Sequence, residues 1–160
     1  MPPRTADHPQ DLASRETLLS MSGLGFMQAM LNGEVAGPAM ARTLNFTLVD
    51  VGPGRAVFRG TPLFNSTNPM GVVHGGWYGA VLDSALGCAA MTTVPQGMWY
   101  TTLEYKVNIT RPLPLGMEVE CTAIVQHAGR STAVANAEMR GVADGKLYAT
   151  GSTTCIVLGV

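Results

Sequence analysis

The chain has 160 residues, of which 46% are hydrophobic and only 13% charged, with a formal net charge of -1. That balance gives no footing for a nucleic-acid or membrane-surface role driven by bulk charge. So small a charged share in a single domain implies that other subunits cover part of the surface.

Residues 1–12 are polar and proline-containing, with no apolar run of the kind a secretory signal needs; they read as a mobile arm. Ser14, Glu16, Leu18 and Leu19 then open a predicted helix over 14–32. Met21, Leu24, Met27, Met30 and Leu31 recur in it at helical spacing. Gly23 and Gly25 weaken it, and Gly33 and Gly37-Pro38 end it. Its methionine-rich face adapts to irregular neighbours, either as an outer helix on the body or as a cover for a ligand site. Residues 41–51 alternate as a half-buried strand, a turn follows at Gly52-Pro53-Gly54, and residues 56–61 form a second strand.

A loop from Phe64 leads into Asn68-Pro-Met-Gly-Val-Val-His74-Gly75-Gly76. Residues 77–94 follow, apolar nearly all round, and predict one long buried helix. Gly79, Asp83, Ser84 and Gly87 interrupt it and no basic anchors flank it, which argues against a membrane span. After Pro95-Gln96-Gly97 come four strand-like runs, at 100–110, 118–128, 131–140 and 146–157. A proline-rich crossing at 111–116, a turn at Gly129-Arg130 and a hairpin signal at Asp144-Gly145 separate them. The order predicts one α+β domain over 1–160, a curved antiparallel sheet wrapped around a long central helix. Such a sheet leaves an edge and a face open, so a homodimer, and then a dimer of dimers, is expected. Cys88, Cys121 and Cys155 are widely spaced in apolar runs. They read as free thiols in a reducing, cytoplasmic setting, with no metal site.

Between His74 and Glu104 the only side chain charged at pH 7 is Asp83. A bare carboxylate is costly to desolvate in such a helix, so it needs a purpose. Gly75 and Gly76 stand where loop becomes helix, with free N–H groups and the positive end of the helix dipole. That place suits a carbonyl oxygen whose charge rises as the carbonyl is attacked; one such donor is worth roughly 3–4 kcal/mol in the transition state. The plainer readings are tight packing for the glycines and an ion pair or loop cap for Asp83. A Ser-His-Asp relay does not fit. Ser84 points about 100° away from Asp83 on a helix, and no G-x-S-x-G is present.

Asn68, then five residues, His74-Gly75-Gly76, and Asp83 nine positions after the histidine resemble the signature of hotdog-fold acyl-CoA thioesterases. The type is the phenylacetate-pathway, PaaI-like group, and the resemblance spans residues 44–158. It implies hydrolysis of an acyl-CoA to acid and CoA, with coenzyme A as part of the substrate and no other cofactor. The Gly75 amide would polarise the carbonyl and Asp83 would act as base or nucleophile. Asn68 and Thr102 would hold water, thioester or acid. Gly75 and Asn68 of one subunit would face Asp83 and Thr102 of the other. Asn68 is also a good turn former before Pro69, and Thr101 lies one register step from Thr102. His74 is either a general base or an imidazole bonded to loop backbone. Gly76 is a candidate substrate contact, and the bulky Trp77 and Tyr78 either wall the acyl pocket, which would favour a short-chain or aromatic acyl group, or pack between subunits. Arg111 and Arg130 are candidate phosphate ligands, with Lys106, Arg140 and Lys146 behind them. Two alternatives stand: a hotdog hydratase or dehydratase, although Ser66 replaces the aspartate its Asp-x-Asn-Pro-x-His pattern needs, and a non-catalytic acyl-CoA-binding protein.

Overall fold

The computed structural model describes residues 2–159; Met1 and Val160 lie outside the described residues. Three short helices open the chain: α1 (Arg15–Leu19), α2 (Gly23–Leu31) and α3 (Ala39–Thr43). Strands β1 (Phe46–Gly52) and β2 (Arg55–Gly60) form a hairpin, and α4 (Gly75–Met91) follows. Four strands complete the fold: β3 (Met98–Ile109), β4 (Val119–Ala128), β5 (Thr132–Gly141) and β6 (Leu147–Gly159). All six strands make one sheet in the order β1-β2-β4-β5-β6-β3, antiparallel at every pairing. The α+β hotdog architecture expected from the sequence is present. The sheet folds around α4, whose Val81, Leu82, Ala85, Leu86 and Ala89 have no exposed surface. An all-round apolar helix is stable only when every side is covered. No helix among the described residues is long and apolar enough to cross a membrane.

The single helix expected over 14–32 is two. Ser22 interrupts it because its hydroxyl accepts the Gly25 amide (3.1 Å), capping α2. The chain must also enter α2 hard against the end of α4. The Gly23 amide donates to the Val94 carbonyl at 2.9 Å, and a Cβ at Gly23 would lie 1.8 Å from the Met91 carbonyl oxygen. The strand expected from residue 41 begins at Phe46, because α3 occupies 39–43 and Asn45 turns the chain with φ 55°. The arm expected to be mobile is tied down. Thr5 bridges to Gly37, the Arg4 guanidinium donates to the Gly33 carbonyl at 3.0 Å, and Arg42 pairs with Asp7.

Strand β3 lies along α4 like a rail. Tyr105 packs on Gly79 and Tyr100 on Gly87, where a Cβ would come within 3.2 Å and 2.6 Å of the tyrosine hydroxyls. Glycine is what lets the strand approach that closely. A bulge between Thr102 and Glu104 shifts the register, so Thr102 and Tyr105 both turn toward the helix although three positions apart. As an edge strand, β3 leaves Leu103, Tyr105 and Ile109 about half exposed.

Candidate active site

Helix α4 presents two polar features, one at its first residue and one two turns in. At the start, the His74 side chain caps the helix: Nδ1 accepts the Gly76 amide at 2.8 Å, and the His74 carbonyl accepts the Trp77 amide at 2.9 Å. Accepting through Nδ1 places the proton of a neutral His74 on Nε2. The Gly76 N–H is therefore occupied, whereas the Gly75 N–H has no partner among the described residues and stands exposed. Residue types alone put a free N–H at both glycines and the resemblance singles out Gly75; the cap gives a physical difference between them.

The loop that delivers His74 is stiffened by Asn68. Its Oδ1 accepts the amides of Met70 (2.9 Å) and Val72 (3.3 Å), and its backbone N–H donates to the Val72 carbonyl at 2.9 Å. This is turn chemistry. The Asn68 Nδ2 keeps its donors free among the described residues.

Asp83 is half-buried. The Thr102 hydroxyl donates to its Oδ1 at 3.2 Å, and no cation pairs with it among the described residues. Burial pushes its carboxyl above the ordinary value of 3.8, and the Thr102 hydrogen bond works against that rise. Of the two threonines the sequence left open, Thr102 is the one on the helix side. Neighbouring groups stay neutral. Burial, reinforced by the Asp83 charge, pushes the Cys88 thiol up to about 12 and raises Tyr100 well above its usual value. A thiol held neutral is a poor nucleophile. The Ser84 hydroxyl is spent on the Ala80 carbonyl at 2.8 Å. No three His, Cys, Asp or Glu side chains among the described residues cluster as metal ligands.

Asp83, Ser84, Thr102, Tyr100 and Cys88 form one wall of a cavity of about 460 Å³; Arg4, Thr5 and Thr47 reach its lining elsewhere, and the rest of the lining is apolar. The Gly75 amide does not line it. Eight residues at 1.5 Å rise separate Gly75 from Asp83, about 12 Å along the helix. One chain therefore cannot bring both to the same carbonyl carbon.

Trp77 and Tyr78 are not walls of this cavity. Both are 2% exposed; the Trp77 indole N–H donates to the Leu44 carbonyl and the Tyr78 hydroxyl accepts the Leu113 amide, each at 2.8 Å. An aromatic ring with a polar tip buries stably when that tip finds a partner, and here both tips do so inside the core. Arg111 lies over the Tyr148 ring, 6.0 Å from its centroid, in a cleft shared with Val72, Val73 and Ile109 near the Gly75 end of α4. Arg130 sits on the β4–β5 turn, beside the opposite end of β3. Arg140 pairs with Glu138 and Lys146 lies 4.0 Å from Asp144, so both have local acidic partners; Lys106 lines the outer face of the sheet. The sequence reading did not assign Tyr100 and Cys88 to the site, since they carry no motif signal. It placed Phe26 and Leu48 in no site, since their role appears only when α2 folds over β1.

Residues 70–148 match the family model described as Thioesterase superfamily. Acyl-coenzyme A thioesterase 13 of Homo sapiens is 27% identical over 123 residues, covering 72% of this chain and 87% of its own length. Among solved structures, a phenylacetic acid degradation-related protein from Ralstonia eutropha JMP134 is 30% identical, with TM-score 0.74 over 82% of this chain and 98% of its own. An Asn-to-Asp variant of phenylacetic acid degradation protein PaaI from Thermus thermophilus is 29% identical, with TM-score 0.67 over 74% of this chain and 97% of its own.

Proposed function

Since the chain belongs to the thioesterase superfamily and has the fold of its PaaI-like members, we propose that it is a thioester hydrolase that cleaves acyl-CoA to free acid and coenzyme A. The observation that carries this reading is Asp83. It is a desolvated carboxylate with no cationic partner among the described residues, steadied by Thr102, at the wall of an apolar cavity. Such a group is a strong base toward a water proton. The water oxygen attacks the thioester carbon as Asp83 takes its proton. The carbonyl oxygen gains negative charge and is met by the free Gly75 N–H at the positive end of α4. The carbon–sulfur bond then breaks and the proton returns to the leaving thiolate. The Asn68 Nδ2 is placed to steady water or thioester, and His74 serves by spending its ring on Gly76 so that Gly75 stays open. With Nδ1 so occupied, His74 makes a poor base for the hydratase alternative.

The 12 Å gap along α4 calls for two chains. The open edge β3, with Leu103, Tyr105 and Ile109 exposed, is suited to antiparallel pairing with a second copy. Two antiparallel α4 helices related through Gly79, midway between Gly75 and Asp83, would set the amide of each opposite the acid of the other. Arg111, near the Gly75 end, is the first choice for a coenzyme A phosphate. Three free cysteines suit a reducing, cytoplasmic setting. Mixing two inactive variants tests the whole arrangement. Gly75→Pro replaces the amide hydrogen with a ring carbon at a first helical position, where proline is tolerated, and Asp83→Asn removes the base. Each homo-oligomer is expected to be inactive in a thiol-release assay, while a randomly re-paired 1:1 mixture regains about a quarter of wild-type turnover, from the one intact composite site of each mixed dimer. Full loss in the mixture, with mixed oligomers present, would place the site within one chain.

A further inference from the structure

Residues 2–43 fold into a roof over the cavity that holds Asp83. One end of the roof is fastened to the far end of α4. The Gly23 amide binds the Val94 carbonyl (2.9 Å), the Gly97 amide the Leu19 carbonyl (3.1 Å), and the Gln96 side chain the Ser20 carbonyl (2.9 Å). The other end is fastened by the Thr5–Gly37 bridge, by Arg4 on the Gly33 carbonyl and by the Arg42–Asp7 pair. Between these two attachments the roof does not collapse onto the sheet. Leu12, Leu18, Phe26 and Met30 line the cavity from above, and Phe46, Leu48 and Phe58 from below. Interiors are normally close-packed, and so large an apolar hollow joined to a reactive carboxylate is the shape of a binding site. The family match begins only at residue 70, so the roof lies before it.

We propose that this roof makes the cavity a pocket for the acyl tail and sets the enzyme for linear aliphatic acyl groups of about ten to fourteen carbons. The inference rests on the acyl-CoA hydrolase reading and adds the substrate class. A methylene takes roughly 27 Å³, near a water's share of liquid volume, so a four-carbon acyl group leaves most of the 460 Å³ empty. A phenyl ring with one methylene fills about two-fifths of it by the same measure, still leaving more than half empty. Trp77 and Tyr78, the ground for expecting a short or aromatic acyl group, do not reach the cavity. The tail enters past Asp83 and Thr102, which keeps the thioester carbon at the acid, and runs toward Met30 and Leu18 beneath the roof. Met27, Met30 and Met91 supply the adaptable lining that a flexible chain needs.

The experiment compares straight-chain acyl-CoA substrates from four to sixteen carbons and phenylacetyl-CoA, at low micromolar concentration, by thiol release. Values of kcat/KM are expected to climb roughly three- to fourfold per added methylene until the pocket is full, then to fall. Met30→Trp, which shortens the cavity, should lower the twelve-carbon to four-carbon ratio at least tenfold, whereas Met30→Ala should not lower it. A second measurement needs no variant. The chain has two tryptophans, of which Trp99 lines the cavity and Trp77 does not. Dodecanoic acid brominated at its far end should quench Trp99 fluorescence in the wild-type protein, and bromobutanoic acid should not. Thiol release that is flat across chain length, with no quenching by the long acid, overturns the acyl-tail assignment and leaves the hydrolase reading standing. Quenching by the long acid with no thiol release from any acyl-CoA overturns the hydrolase reading and leaves the tail pocket standing.

Discussion

The two polar features of α4 are built in opposite ways. At its first residue the helix offers a dipole: Gly75 is exposed, carries no side chain, and keeps an N–H that His74 leaves unbonded. Two turns later it offers a charge: Asp83 is half-buried, in apolar company, with one hydroxyl for support. A backbone donor costs nothing to desolvate beyond what every helix start already bears, so it can wait in the open. A carboxylate gains basicity only where water is partly kept away, so it must sit inside. The fold separates the two by about 12 Å along one helix, and a symmetric partner is the simplest way to reunite them.

The largest expected effect comes from removing the charge. Asp83→Asn keeps the shape and the Thr102 contact and should lower kcat 10²- to 10⁴-fold. Wild-type turnover in that variant would end the assignment of Asp83 as base. Removing the dipole's donor comes next: Gly75→Pro should cost 10²- to 10³-fold in kcat, while Gly75→Ala, which keeps the amide, should cost far less. If the two substitutions were equally harmful, sterics rather than the lost N–H would be responsible.

The contrast between these positions also marks what could be read before any coordinates. Helix α4 announces itself as an unbroken apolar run and the long β strands through their alternation, and the spacing of Asn68, His74, Gly75 and Asp83 marks out the candidate site. The pairing of Thr102 with Asp83 was within reach, but the bulge that selects Thr102 over Thr101 is a backbone event with no residue signature. The roof was harder. A run of methionines with Gly23 and Gly25 inside it gives nearly the same pattern whether one helix or two forms. The choice fell to Ser22 and to the long-range contact of Gly23 with Met91. The direction of Trp77 stayed open because adjacency in sequence to Gly76 says nothing about it. On a helix its ring points about 100° from its neighbour, here into the core.

Smaller effects sharpen the electrostatic half of the comparison. Thr102→Val removes the one hydrogen bond that holds the Asp83 carboxyl down, so the acid limb of the kcat–pH profile should move to higher pH. An unmoved limb would mean that the titrating group is not Asp83. Arg111→Ala should raise KM for acyl-CoA by roughly three- to tenfold with kcat nearly unchanged, as expected for one lost phosphate contact at an open site. A change in kcat alone would assign Arg111 to packing on Tyr148 instead.

The smallest effect is on stability. Because the folded-state pKa of Asp83 lies above its ordinary value of 3.8, the folded protein binds this proton more tightly than the unfolded chain does. Its contribution to stability is complete below that ordinary value and is lost as pH rises through the raised one. At neutral pH the ionised group therefore weighs against the fold. The charge that makes the site reactive is then the one whose removal should stabilise it. Asp83→Asn should melt slightly higher than wild type at pH 7, and the difference should shrink steadily as pH is lowered toward about 3.5. Thermal melts of both proteins across that range check the sign, since titrations elsewhere in the chain are common to both. An Asp83→Asn protein that melts lower at pH 7 would mean that the carboxylate is held by a favourable partner supplied by another subunit, and the uncompensated charge at the heart of the mechanism would not exist.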